Sequence, residues 1–245
     1  KASDIEKDVL EKKKVELIKL LNTNIEAKKD IGLSNDISIP NNKNITTPLE
    51  NNDRDLAIDI LSEVGKNFKD NTPYKNIKVH IHTQDTKSFV RGWNPKKYGD
   101  DLRSFRATLL HVKEIQKPFV SFEAGASGLV LRGVTPVLKD GKFIGSLEFI
   151  QGLNSVAKNF DKDKKSFLFL MDDSLVSIAT KASKSPSVGN YKVSQNFIQK
   201  DFLKDAQTID LKQLKEDGFL ISTNYYYTSK AVKDYKGDTI GIFIV

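Results

Sequence analysis

The chain has 245 residues, 29% of them charged and 38% hydrophobic, with a formal net charge of +7 and no cysteine. That length suits one large or two small domains, and the missing cysteine excludes disulfide frameworks, thiol nucleophiles and cysteine-ligated zinc. The lysines are interleaved with Asp and Glu along the whole chain, so no basic stripe with interspersed aromatics points to nucleic acid.

Residues 3–31 read as one long helix. Ile5, Val9, Val15, Leu17, Ile18, Leu21 and Ile25 form a broad apolar stripe at helical spacing. Such a helix is over about 40 Å long, more than one compact domain needs, which suits a stalk or dimer helix, or a helix lying along two stacked domains. The Asn-, Pro- and Thr-rich segment 35–53 reads as a loop. An amphipathic helix follows over 54–68, with Leu56, Ile60, Leu61, Val64 and Phe68 on its buried side, and then a strand over 77–81. RGWNPKKYGDD is irregular. Asp100 or Asp101 is expected to cap a helix running to about Gln116 that buries Leu102, Phe105, Leu109 and Val112. Strands with glycine breaks fill 119–150.

A partly similar pattern follows. A connecting helix is expected over 153–160, strands over 167–170 and 175–179, and a helical stretch over 193–206. A short helix or turn at 211–216 precedes strands over 219–227 and 240–245. The two closing hairpins, TPVLKDGKFIGSLEFI and SKAVKDYKGDTIGIFIV, each place a turn glycine (Gly141, Gly237) four residues before a second glycine (Gly145, Gly241). The spacing suggests duplication. The fold class is α+β: two antiparallel sheets with flanking helices, preceded by one long helix.

The chemistry concentrates between His80 and Arg132. Four of the five arginines, the single tryptophan and all three histidines lie there. Arginine presents a planar fork suited to carboxylates, whereas lysine mainly solvates a surface. At helical spacing Arg106 falls on the flank of the buried face and Arg103 faces water. A half-buried arginine needs an anion, which Glu123, Glu148, Asp101 or an exogenous carboxylate could supply. Trp93 and Tyr98 supply rigid aromatic walls for a ligand. His80 and His82 alternate on a strand and face one side. With His111 or Glu123 they could ligate zinc, but HExxH spacing is absent, and a histidine donating to a ligand or packed in the sheet is the preferred reading. Asp172-Asp173-Ser174 reads as a turn, and at least one ring of Tyr225-Tyr226-Tyr227 faces the pocket side of the second sheet, the others being core or surface. No nucleophile elbow, P-loop or dinucleotide fingerprint occurs, so no enzyme activity and no cofactor are expected.

The stretches HIHTQDTKSFVRGWNPKKYGDDLRSFR and RGVTPVLKDGKFIGSLEF resemble the double Cache sensor domains of bacterial chemoreceptors, sensor histidine kinases and diguanylate cyclases. The resemblance covers residues 77–150 well and the remainder only in layout. It implies two Cache, PAS-like units after a stalk or dimer helix: helix 1–35, a membrane-distal unit 36–156 and a membrane-proximal unit 157–245. It further implies the periplasmic portion of an inner-membrane receptor, first of all a methyl-accepting chemotaxis receptor, with transmembrane helices before Lys1 and after Val245. The abrupt opening on a helix and the ending on a strand agree with a piece of a longer protein. The implied ligand site is His82, Arg91, Trp93, Tyr98, Arg106, Glu123 and Arg132, holding an organic acid or amino acid and no metal. Gly92 departs from the family's pattern, in which an aliphatic residue follows the first arginine, and alters the pocket wall. Candidate macromolecular partners are a second copy of the chain, through the long helix, and a periplasmic binding protein. A zinc enzyme built on His80 and His82 and a ligand-free dimerising ectodomain are the alternatives of a different class.

Overall fold

A computed structural model describes residues 2–38, 43–71 and 76–245. The chain divides into two compact units: Lys28–Glu123 with Val130–Gly152, and Lys1–Ala27 with Ala124–Leu129 and Leu153–Val245. Helix α1 (Ala2–Ser38) therefore contributes its first part to the unit of the second sheet and its remainder to the unit of the first.

The first unit holds α2 (Lys43–Glu50), α3 (Arg54–Asn71), β1 (Lys78–Thr83), β2 (Ser88–Arg91), α4 (Ala107–Ile115), β5 (Lys142–Gln151) and all but the adjoining ends of β3 (Phe119–Gly125) and β4 (Gly128–Lys139). The strands form one antiparallel sheet in the order β2-β1-β5-β4-β3. Because side chains alternate along a strand, the sheet has two different faces. Val79, Ile81, Val90, Leu147 and Phe149 pack with Ile45, Ala57 and Leu61 of α2 and α3 in an apolar core. Each such fully buried aliphatic or aromatic side chain contributes about 1.5–3 kcal/mol. On the other face, α4 covers Val134 with Leu109 and Val112, joined by Leu102.

The second unit adds α5 (Asn154–Lys162), β6 (Leu168–Asp172), 3-10 turns at Asp173–Ser177 and Thr180–Lys184, β7 (Ser187–Val188), β8 (Tyr191–Val193), α6 (Lys200–Ala206), α7 (Leu211–Asp217), β9 (Phe219–Ile221), β10 (Tyr226–Lys233) and β11 (Thr239–Ile244). Its sheet order is β7-β8-β6-β11-β10-β9. Apart from β7 the order repeats that of the first sheet. The two glycines singled out from the sequence also match in role. A Cβ at Gly145 on β5 would collide with the His82 carbonyl oxygen of β1, and a Cβ at Gly241 on β11 would collide with the Leu170 carbonyl oxygen of β6. Both units thus require a bare backbone at the same place between their first and last strands.

Several local expectations are corrected. Residues 43–50, read as loop, are helical, because Ile45 is drawn into the core beside α3. Helix α4 begins at Ala107, five residues later than capping by Asp101 implied: Asp100 is engaged by Arg91 and Asp101 by Arg103. Phe105 is consequently 37% exposed instead of buried. On the N-terminal helix Leu17, Leu21 and Ile25 are buried, but Ile5, Val9 and Val15 are exposed. The expected strand over 175–179 is a 3-10 turn, with the Asp172 side chain accepting from the Ser174 N–H as a turn former does. Within 193–206 only 200–206 is helical. Of the three consecutive tyrosines, Tyr227 is fully buried and donates its hydroxyl to Asp205. No described helix is long and apolar enough to cross a membrane.

Candidate functional site

Cross-strand pairing builds the site. His80 stands opposite Glu148, and His82 opposite Ser146, across the β1–β5 ladder; Val134 of β4 stands opposite Glu148 from the other side. Directly paired residues share a face, so these polar groups lie on the face that α4 covers. Arg132 belongs to the same face, two residues before Val134. Glu123 comes from β3, next to β4. Arg106 enters from the position just before α4.

The result is a buried charge cluster. Arg106 donates through Nε to Glu123 Oε1 at 2.5 Å and through Nη2 to Glu148 Oε2. Arg132 donates through Nη1 to the same Glu148 oxygen at 3.1 Å, and its Nε lies 3.8 Å from Glu123 Oε1. Glu123 also accepts from the backbone N–H and the hydroxyl of Thr108, at 2.9 and 2.5 Å. It therefore satisfies an amide of the first turn of α4, which its own preceding residue leaves uncapped, and places a negative charge at the helix N-terminus. The two arginines and two glutamates sum to zero charge.

Burial acts against every ion here and the pairing restores them. Burial alone would raise the Glu148 carboxyl, but Arg106 and Arg132 hold it well below the usual carboxylate range. Burial pushes the His80 imidazole well down, helped by neighbouring His82, and pushes His82 down as well. Both rings are therefore neutral at neutral pH. Their outer nitrogens meet serine hydroxyls: His80 Nε2 and Ser88 Oγ are 2.8 Å apart, as are His82 Nδ1 and Ser146 Oγ.

The other expected site residues form a more exposed group. Arg91, paired with His80 across β1–β2, grips Asp100 with two parallel bonds of 2.7 and 2.8 Å and also donates to the Lys97 carbonyl. This fork holds the Asp100 carboxyl at about 2. Trp93 is 40% exposed and stands edge-to-face over the His80 ring at 5.5 Å. Tyr98 is 54% exposed and carries the Arg54 guanidinium 3.3 Å above its ring. A Cβ at Gly92 would press on the Val79 carbonyl at 3.1 Å, a steric reason for glycine after Arg91.

The structure thus unites His82, Arg106, Glu123 and Arg132 in one cluster, and sets Arg91, Trp93 and Tyr98 beside or outside it. Every one of the five arginines has an internal partner: Arg54 reaches the Phe89 and Pro95 carbonyls, and Arg103 faces solvent on Asp101. His80 and Glu148 were missing from the expected ligand set. Glu148 is the hub, and one signal could have found it: it is the single charge in the apolar strand Leu147–Ile150, at an inward position. A cavity of about 400 Å³ lies elsewhere in the unit, lined by Leu49, Glu50, Asn52, Thr83, Asp85 and Ile144 among others. That cavity converges no buried cation or histidine, whereas the cluster brings together both.

Two antiparallel sheets of matching strand order, one with a buried polar cluster under its covering helix, define the class: a double Cache, PAS-like sensory domain. The chain matches the family described as the double sensory domain of two-component sensor kinases over residues 14–245, and belongs to it. That family is sensory and not catalytic. No curated protein matches the chain. Solved structures of similar fold include the sensor domain of the Vibrio cholerae histidine kinase DctB (11% identity, TM-score 0.56, covering 97% of this chain and 96% of that one). Another is the sensory domain of the Campylobacter jejuni chemoreceptor Tlp3 with isoleucine bound (17% identity, TM-score 0.56, covering 99% and 94%). A third is the periplasmic domain of Vibrio cholerae LuxQ (13% identity, TM-score 0.54, covering 94% and 97%). At these identities the likeness shows the fold alone.

Proposed function

We propose that the chain is the periplasmic ligand-sensing domain of an inner-membrane receptor, with the first unit membrane-distal and binding a small amino acid through residues drawn from His82, Arg91, Trp93, Tyr98, Arg106, Glu123 and Arg132. The observation that carries this reading is the charge balance of the buried cluster. A bare carboxylate would add an uncompensated buried negative charge. A zwitterion adds none: its ammonium can replace an arginine on Glu123 while its carboxylate takes the arginine released. The amino acids bound to the solved Tlp3 domains agree with this chemistry. Trp93 and Tyr98 offer aromatic surface for the side chain of the ligand. Binding would shift a two-state equilibrium that α1 carries toward the membrane. Its size is the difference in affinity for the two states, typically about 1–3 kcal/mol. A chemotaxis receptor is the output expected from the resemblance; the family's description favours a sensor kinase. Exposed Ile5, Val9 and Val15 support a dimer through the helix.

Titration calorimetry against small amino acids and against dicarboxylates tests the reading, with Trp93 fluorescence as a second readout. Saturable binding of an amino acid, lost in Arg91→Ala and Trp93→Ala, is expected. Binding of dicarboxylates alone refutes the zwitterion. The internal pairing of all five arginines favours one second reading, a ligand-free dimerising ectodomain, and silence across the panel with a concentration-dependent dimer would establish it.

A further inference from the structure

Three atoms of the buried cluster face one another without a hydrogen atom for each contact. His80 Nδ1 and His82 Nε2 are 3.1 Å apart, and they lie 3.5 and 3.3 Å from Glu148 Oε1. A tetrahedral zinc-type ion with bonds of about 2.0–2.1 Å has neighbouring ligand atoms about 1.6 bond lengths apart, hence about 3.3–3.4 Å. All three edges fall within a few tenths of an ångström of that value. They form one triangular face of such a site.

A second observation points to the same centre. Glu148 is fully buried, yet its Oε1 makes no hydrogen bond, whereas its Oε2 takes both Arg106 and Arg132. A buried carboxylate oxygen left without a partner is costly, and such groups are rare. The surroundings complete the pattern. If the outer ring nitrogens donate to the Ser88 and Ser146 hydroxyls, both inner nitrogens present lone pairs to the space beside Oε1. Orientation of ligating histidines by such outer hydrogen bonds is how metal sites are held.

We propose that His80, His82 and Glu148 form a binding site for a divalent transition-metal ion of the zinc type, with a fourth coordination position open. Two imidazoles and one carboxylate select zinc, cobalt, nickel or copper over magnesium and calcium, which take oxygen ligands. With neutral histidines the cluster carries no net charge, so a dication would leave +2 beside two guanidiniums. The fourth ligand is therefore anionic, a hydroxide formed from water or the carboxylate of a small molecule. The site does not depend on amino-acid binding, and its test uses the metal alone.

Trp93, the only tryptophan, is the reporter, with its ring 5.5 Å from that of His80. The purified chain, stripped with chelator, is titrated with Co²⁺, both as folded protein and during refolding, because the ligands are buried. One equivalent is expected to bind with the intense visible absorption of four-coordinate cobalt and to quench Trp93. Zn²⁺ is expected to displace it. His80→Gln and His82→Gln remove the absorption, whereas His111→Gln retains it. Four-coordinate absorption that persists in folded His80→Gln and His82→Gln overturns the proposal. So does uptake below about a tenth of an equivalent by the parent chain, or only the pale spectrum of six-coordinate cobalt. The parent spectrum decides the matter even if both histidine variants fail to fold.

Discussion

Arg106→Met is the most informative perturbation of the cluster. Arg106 is 3% exposed and donates to both Glu123 and Glu148. Its removal leaves two glutamates facing Arg132 alone and changes the cluster from neutral to −1. Breaking a buried ion pair from one side costs about 3–5 kcal/mol. With a urea m-value of about 2 kcal/mol per molar, the midpoint should fall by about 1.5–2.5 M. Trp93 fluorescence follows the transition of the unit that holds the cluster. The double variant Arg106→Met/Glu123→Gln restores neutrality, so its cost should fall short of the sum of the two single costs by about 1–3 kcal/mol. A loss below about 0.5 kcal/mol for Arg106→Met, the size of an ordinary surface change, would refute the charge-balance argument. Strict additivity of the two changes would refute it equally.

Three further outcomes are expected. Asp100 has its pKa lowered to about 2 by Arg91, so its stabilisation is present above the ordinary value of 3.8 and is lost as pH falls through 2. With solvent screening at this partly exposed pair the amount is about 1 kcal/mol; thermal midpoints of Asp100→Asn should lie below the parent's at pH 6 and converge with them near pH 2. Gly145→Ala and Gly241→Ala each push a methyl into a strand carbonyl and should cost about 1–3 kcal/mol or more, measured by circular dichroism in urea; a neutral result would remove the steric reason for either glycine. Tyr227→Phe leaves Asp205 short of one donor and should cost about 1–3 kcal/mol in the same assay, since the Ser222 hydroxyl still donates to that carboxylate.

Much of the architecture is written in local pattern. Alternation put His80 and His82 on one side of a strand, and two hairpins with a repeated glycine spacing announced two related units. These features depend on neighbours within a few residues, which a sequence displays directly. Arg106 is buried and Arg103 exposed as expected, but both precede α4, so the fold of the turn and not helical phase sets them. Local pattern misled where a competing partner lay far along the chain. Asp100 is a fair helix cap by type, but Arg91 takes it. The segment around Pro48 looks like loop, but burial of Ile45 makes it helix. The centre of the site was decided by tertiary structure alone. Glu148 meets His80, His82, Arg106 and Arg132 only because β5 pairs between β1 and β4 and because α4 closes over that face. Composition and periodicity say that a charge on an inward strand position needs partners. Only the pairing of strands more than sixty residues apart, seen in the 64-residue separation of His82 and Ser146, says which partners they are.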